Sequence, residues 1–412
     1  MSAQLGNIDR TGLQSLAIEL LYNICEQASL SSSGRKNTHA LCRMRLVCKQ
    51  LDFAVQLLLF VDVDLSTMKE SLQLETTRSQ LQMLANRNSA ACRLSKSLTI
   101  RCGDLFSPSL PARITSWDNW KSADDIEIGL TKQALTLWIT PTITSLYQTR
   151  KVRWVVGHYE PHSNIVAILY GLRYLPNLED LTIELSRAPE DEFPLSWLSN
   201  LRFINISWRC TEIPTLFIHQ LSQLIQQSPN LSRLDIRAVH KSARTLQQLF
   251  SGCSNPLQLE HLSLRGLCVT PDDFKSYALP HLKVLKSFSL TENTYIAPGG
   301  RDKFVPPNRE IWEVLHCAKI QLSAIETDVA ADPALLEYLS TFRDCQGLTL
   351  SPNMGTWACF ESAHRFFHNI LPGMITTLER LTLIPGAAGP WCFRDELNLN
   401  FQLSNILTLK NG

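Results

Sequence analysis

Leu178-Glu179-Asp180-Leu181-Thr182-Ile183 is the stretch on which the reading of this chain turns. Its apolar residues stand first, fourth and sixth, and the fourth and sixth share one side of an extended strand. The unit returns as Leu201-Arg202-Phe203-Ile204-Asn205-Ile206 and as Leu231-Ser232-Arg233-Leu234-Asp235-Ile236. It returns again as Leu259-Glu260-His261-Leu262-Ser263-Leu264 and Leu285-Lys286-Ser287-Phe288-Ser289-Leu290. Weaker copies are Cys317-x-x-Ile320-x-Leu322, Cys345-x-x-Leu348-x-Leu350, Leu378-x-x-Leu381-x-Leu383 and Ser404-x-x-Leu407-x-Leu409, and Lys151 to Val156 is a candidate earlier one. Successive starts lie roughly 23 to 33 residues apart. The spaces between hold amphipathic helices, clearest at Pro214 to Gln227, Glu310 to Ala318, Pro333 to Phe342 and Phe360 to Ile370. A strand–helix unit of this size cannot bury its own apolar face, so copies must stack into one continuous core. The alternative is an α/β domain whose parallel strands recur without a true repeat.

These copies resemble irregular leucine-rich repeats. The Asn that closes the standard repeat loop is mostly missing and the lengths vary, which favours the kind with a helix on the convex side. The resemblance implies a curved strand–helix solenoid over 149–412, and an α/β fold class for the chain. In such a strand the third and fifth positions, and the one after the sixth, point outward. They read Asp180, Thr182 and Glu184, then Phe203, Asn205 and Ser207, then Arg233, Asp235 and Arg237, then His261, Ser263 and Arg265. Neighbouring strands lie about 4.8 Å apart, so Arg233, Arg237 and Arg265 are expected to cluster beside Asp180, Glu184 and Asp235. Arg233, Asp235, Arg237, His261 and Arg265 are the candidate target-binding residues, because arginine forks onto carboxylate or phosphate. The alternative is a solvated sheet face whose charges balance.

The N-terminal region follows a different period. Leu16, Leu20 and Ile24 recur four apart on one helical face, and Leu41, Met44, Cys48, Leu51, Val55 and Leu58 do so on a second, longer helix. The runs Leu16-Ala17-Ile18-Glu19-Leu20 and Leu41-Cys42-Arg43-Met44-Arg45-Leu46-Val47-Cys48-Lys49, with the exit Leu57 to Val63, resemble an F-box, the adaptor-docking module of SCF ubiquitin ligases. Ala17 stands where that family usually has Pro, and Ser29 to His39 is a longer, Ser-rich loop. The resemblance implies that Leu16, Ile18, Glu19, Leu20, Ile24, Leu41, Leu46, Val47, Cys48 and Leu51 bind a Skp-family adaptor, which leads to a cullin scaffold. The expected organisation is then a helical F-box module at 1–66, a helical and loop region with possible first repeats at 67–148, and the repeat solenoid at 149–412. The implied function is non-catalytic recognition of an unidentified target protein for ubiquitination. A repeat scaffold with no ubiquitination role is the runner-up.

Composition narrows the partners. A formal net charge of +1 on 412 residues gives no basis for sequence-independent nucleic-acid binding or for a polybasic membrane contact. The 12 cysteines form no Cys-x-x-Cys and sit in apolar periodic stretches, so they read as reduced core residues. Met1 to Gly12 is polar, and the most apolar run, Leu51 to Val63, is interrupted by Asp52, Gln56 and Asp62. Cytoplasm or nucleus is the expected compartment. No nucleophile elbow, phosphate loop or dinucleotide fingerprint occurs, and no catalytic residue, metal or cofactor is expected. Cys359, His364 and His368 read as part of a core-facing helix rather than zinc ligands, and His158 and His162 as loop residues. A hydrolase or transferase with a scattered site is the remote third reading. Thr67 to Arg93 is helix-friendly with a thin stripe at Leu81, Leu84 and Ala85, Ser95 to Ile100 alternates like a strand, and Lys132 to Tyr147 is a helix broken at Pro141. Two loops stand out: 102–122 with Trp117 and Trp120, and Thr294 to Pro307, an insertion within one repeat.

Overall fold

The apolar copies are strands, and each runs parallel to the one that follows it. The computed structural model describes residues 16–30, 37–66, 72–101, 137–157, 160–189, 192–210, 213–242, 246–267, 269–291, 308–329, 332–342, 344–351, 358–384 and 407–409. The chain divides into two compact units, Met1–Arg153 with Tyr170–Leu178, and Trp154–Leu169 with Glu179–Gly412. The loops at 102–122 and 294–307 lie outside the described residues.

The first unit begins with α1 (Ile18–Ser29), α2 (Thr38–Met44) and α3 (Lys49–Phe60). Leu21, Cys25, Leu41, Leu51, Ala54, Val55 and Leu58 form their shared core. Asn37 caps α2 by accepting from the Ala40 N–H at 3.0 Å. The single helix expected from Leu41 to Leu58 is in fact two. The first ends at Met44, and Cys48, at φ −160 and ψ 164, is fully extended as the N-cap of the second. The Arg45 guanidinium reaches across the turn to Asp52 in the first turn of α3 at 2.6 Å, and Asp52 also accepts from Gln56 at 2.8 Å. Leu41 and Leu51 meet in one core because the chain turns between them.

After α3 come β1 (Asp62–Ser66), α4 (Leu72–Ala85), α5 (Ala90–Leu94) and β2 (Ser97–Arg101), with β1 and β2 parallel. A helix over 137–145, α6, runs through Pro141 rather than breaking there. Buried Ile139, Ile143 and Leu146 hold it, and the Thr142 hydroxyl donates to the Leu81 carbonyl at 2.9 Å. β3 (Lys151–Val156) and α7 (His162–Arg173) each contribute residues to both units. The copy written from Lys151 starts two residues late: Val152, Trp154 and Val156 are the buried members and Lys151 is exposed.

The second unit carries β4 (Asp180–Leu185), β5 (Phe203–Trp208), β6 (Arg233–Ser242), β7 (His261–Leu267), β8 (Ser287–Thr291), β9 (Ala324–Thr327), β10 (Gly347–Leu350), β11 (Arg380–Leu383) and β12 (Leu407–Leu409). Register aligns the fourth positions: Leu181 faces Ile204, then Leu234, Leu262, Phe288, Ile325, Leu348 and Leu381 in turn. All are buried, each burial being worth roughly 1.5–3 kcal/mol. Between the strands lie α8 (Thr215–Gln226), α9 (Leu246–Phe250), α10 (Pro271–Asp273), α11 (Asn308–Cys317), α12 (Pro333–Thr341) and α13 (Ala358–Arg365), the last continuing as a wider turn over Phe366–Ile370. This parallel strand–helix pattern fits a leucine-rich-repeat solenoid.

One weak copy is misplaced in the sequence reading. Cys317 ends α11 and Ile320 lies in the loop after it, so the true unit is Leu322-x-x-Ile325-x-Thr327. Thr327 holds an apolar position although it is polar. It is fully buried, and its hydroxyl accepts from the Val329 N–H at 3.4 Å.

Successive repeats join at one carbonyl. The Arg202 and Phe203 N–H groups both donate to the Glu179 carbonyl, at 2.8 and 3.1 Å. Ser232 and Arg233 donate likewise to Arg202, Glu260 and His261 to Ser232, Lys286 and Ser287 to Glu260, and Ser323 and Ala324 to Lys286. In the first unit Lys96 and Ser97 make the same pair of bonds to Val61, and Arg150 and Lys151 to Lys96. The repeat therefore starts well before residue 149. It is hidden because Ser95 and Thr149 occupy the first position there, buried and joined by a 3.1 Å hydrogen bond between their hydroxyls.

The layer between helices and sheet in the second unit is aromatic. Phe274, Phe288, Trp312, Tyr338 and Phe342 follow one another with centroids 4.8 to 5.7 Å apart. The Tyr338 hydroxyl donates to the Ile320 carbonyl at 2.6 Å and accepts from the Leu322 N–H at 3.1 Å, fixing the loop that leads into β9. His281 stacks on Phe250 at 5.0 Å, its Nδ1 accepts from the Leu257 N–H, and burial holds it below the usual histidine range.

Candidate docking surfaces

Two surfaces gather the residues singled out in the sequence, one in each unit. The first is built on α1 and on the turn between α2 and α3. Ala17 is the N-cap of α1 with φ −58, the value that proline fixes. Its carbonyl accepts from Leu20 at 3.0 Å and Leu21 at 3.1 Å, and no side chain caps the helix. Glu19 lies in the first turn, where a carboxylate complements the helix dipole.

The sequence-derived set divides by burial. Leu41 and Leu51 belong to the module's own core, and Leu16, Ile18 and Cys48 pack partly against it. Leu20 and Ile24 stand half-exposed one turn apart on α1. Leu46 is 87% exposed and Val47 65% exposed on the turn. Short bonds from Leu46 N to Arg43 O and from Val47 N to Met44 O, both 3.1 Å, fix that turn. Two further apolar residues, Leu30 and Phe53, are also exposed and were not singled out in the sequence. Phe53 follows Leu51 by two, off the helical period of its core neighbours, and that offset is the signal that could have found it. Apart from Glu19, the exposed members of the sequence-derived set are apolar. Burial, then the nearby Cys48, pushes the Cys25 thiol up, which keeps it protonated.

The second surface is the outward side of β4 to β8. Register places Phe203, Arg233, His261 and Ser287 in one row, Asn205, Asp235, Ser263 and Ser289 in the next, and Ser207, Arg237, Arg265 and Thr291 in the third. The three arginines are brought to neighbouring strands as expected, yet they are not equivalent. Arg233 donates from Nε and Nη2 to Asp235 Oδ2, at 3.2 and 2.9 Å, and its guanidinium lies 4.7 Å from the Phe203 ring centroid. Asp235 is thereby neutralised by its neighbour two residues back. Arg237 and Arg265 are direct Cα partners. His261 is half-buried between the Arg233 and Ser287 positions. Asp180 and Glu184, on β4, face Phe203 and Ser207 on β5, and stand two strands from β6, the strand that Asp235 shares with Arg233 and Arg237.

The remaining sequence candidates are quickly placed. The His364 and His368 rings lie 4.4 Å apart on one helical stretch. Among the described residues no group of three or more His, Cys, Asp or Glu could hold a metal ion. His158 and the Cys359 side chain lie outside what is described. Among the described residues no helix is long and apolar enough to cross a membrane.

No family model matches the sequence, and no curated protein matches it. Among solved structures, a leucine-rich-repeat protein of Leptospira interrogans is similar over 77% of this chain and 93% of its own, at 14% identity and a TM-score of 0.19. At that score the likeness carries no weight, and the fit to a leucine-rich-repeat solenoid stands on the strand–helix pattern of the second unit.

Proposed function

We propose that the chain is a non-catalytic substrate receptor of an SCF-type ubiquitin ligase. The N-terminal helices dock a Skp-family adaptor, which bridges to the cullin scaffold, and the repeat face holds a target protein. The observation that carries this reading is the turn Leu46-Val47. Two apolar side chains 87% and 65% exposed do nothing for the module's own core. Covering them with a partner stabilises a complex by roughly 1.5–3 kcal/mol each. They also lie within the run Arg45-Leu46-Val47-Cys48-Lys49, the most distinctive part of the resemblance to an F-box. The chemistry asked of the chain is proximity: tethering raises the effective concentration of target lysines near a ubiquitin thioester made elsewhere.

The test is the double substitution Leu46→Asp with Val47→Asp. Both positions are exposed, so stability should move by no more than about 0.5 kcal/mol. Capture of the adaptor should disappear, because an unpaired carboxylate in an apolar interface costs several kcal/mol. Undiminished co-purification with the adaptor would sink the assignment. A second reading, a repeat scaffold without a ubiquitination role, draws on Ala17, which forgoes the rigid start that proline would give α1. Adaptor capture without a cullin subunit would favour it.

A further inference from the structure

The helical stretch that begins at α13 divides cleanly into two faces. Ala363, Phe366, Phe367, Ile370 and Leu371 are buried, whereas Glu361, His364, His368 and Asn369 are exposed. The two histidines therefore stand on the solvent side of a helix whose other side is core. Their ring centroids lie 4.4 Å apart with the planes inclined at 38°. Residues four apart in a regular α-helix are offset by about 40° around the axis. The coil widens over Phe366–Ile370, and more residues per turn cut that offset, which sets the second imidazole above the first. Wider turns of this kind occur often at functional sites. Arg365, between the two in sequence, is engaged elsewhere: its Nη2 donates to Glu337 Oε2 on α12 at 2.7 Å. An imidazole holds a dication in its ring plane through a metal–nitrogen bond of about 2.0–2.1 Å, so the ion lies about 3.2 Å from the ring centroid. Centroids 4.4 Å apart then subtend about 90° at a shared ion. That is the cis angle of tetragonal and octahedral ions, whereas four-coordinate zinc prefers about 109°. The terminal torsion of histidine is soft, so rotation about χ2 suffices to aim one nitrogen of each ring at the same point.

We propose that His364 and His368 form a two-imidazole chelate for a divalent transition ion of tetragonal or octahedral preference, nickel(II) or copper(II). Among the described residues no third His, Cys, Asp or Glu joins them, which leaves the other coordination positions to water. Imidazole suits both ions. The site sits on a helix, not on the strand face, and does not rest on the ligase reading.

The untagged full chain, with the exposed thiols of Cys42 and Cys317 alkylated, is titrated calorimetrically with nickel(II) and with zinc(II) at about pH 7.5, where imidazole is neutral. One saturable nickel site per chain is expected. It should weaken about tenfold or more in either His364→Asn or His368→Asn, because a lone imidazole loses the effective concentration that the second supplies. His219→Asn, at an exposed histidine on α8, should change the affinity less than about threefold, as distant sites act independently. Zinc should bind more weakly than nickel. Both histidines of the pair are exposed, so their variants should fold, and either one alone decides the case. An absent nickel site, undiminished binding in the His364 and His368 variants, an equal loss in His219→Asn, or zinc binding as tight as nickel would overturn the proposal.

Discussion

Replacing Gly266 with alanine would set a Cβ 2.1 Å from the Ala238 carbonyl oxygen and 3.0 Å from its carbon. Two costs add. The φ of +69 lies in the left-handed region, which an alanine occupies at a cost of about 1–2 kcal/mol. The clash is with backbone, so no rotamer relieves it, and β6 and β7 must part by about 1 Å to restore van der Waals distance. Losing one or two ladder hydrogen bonds adds about 1 kcal/mol each. The expected destabilisation is about 3 kcal/mol, or about 6–12 °C in Tm for a unit of this size. Urea unfolding followed by circular dichroism measures it. Gly252→Ala is the control. Its added Cβ would meet Gln226 Oε1 and Ser222 Oγ at 3.4 Å, ordinary contacts, with no left-handed φ, and stability should change by no more than about 0.5 kcal/mol. A loss below about 1 kcal/mol at Gly266, or equal losses at both glycines, would refute the reasoning.

Two further outcomes follow from buried polar groups. Tyr338→Phe strands the Ile320 carbonyl and the Leu322 N–H, and should cost about 2–4 kcal/mol in chemical denaturation; a loss under about 0.5 kcal/mol would show that the loop finds other partners. Burial lifts the Glu160 carboxyl to about 7, against the opposing hydrogen bonds of Asn164 and the Gly157 backbone, and although the residue as a whole is half-buried, its Oε2 is sealed without a partner. The folded pKa is raised, so the stabilisation is fully present below the unfolded value near 4.5 and is lost as pH rises toward 7. The expected slope is at most about 1.4 kcal/mol per pH unit, and Glu160→Gln should flatten it; an unchanged slope would remove Glu160 from the account.

The repeat was legible where its positions are leucine or isoleucine, and not where burial is achieved otherwise. Thr327 satisfies its own hydroxyl in the core, so β9 was placed five residues early. Ser95 and Thr149 pair with each other, so the units of β2 and β3 were read as linker or out of register. The N-terminal helices failed differently. Helical periodicity ran unbroken from Leu41 to Leu58, and only the fully extended Cys48 and the ion pair of Arg45 with Asp52 reveal the turn. On the strand face, period-two alternation placed every arginine on the correct side. It could not say that Arg233 turns onto Asp235 two residues along, because rotamer choice leaves no mark in a sequence.

The shared carbonyls between repeats give the stack a polarity. Each of these repeats hands two N–H groups backward and offers one carbonyl forward, as Arg202 and Phe203 do toward Glu179. A stack cut between repeats would leave, beside the mixed donors and acceptors of each strand edge, two further unpaired N–H groups at one end and one further unpaired carbonyl at the other. Only a head-to-tail contact between fragments would rebuild that junction, and a contact of that kind propagates into open filaments rather than closing as a two-fold pair. At the junction itself, a cap for one end would bring an acceptor for two N–H groups, and a cap for the other end a pair of donors.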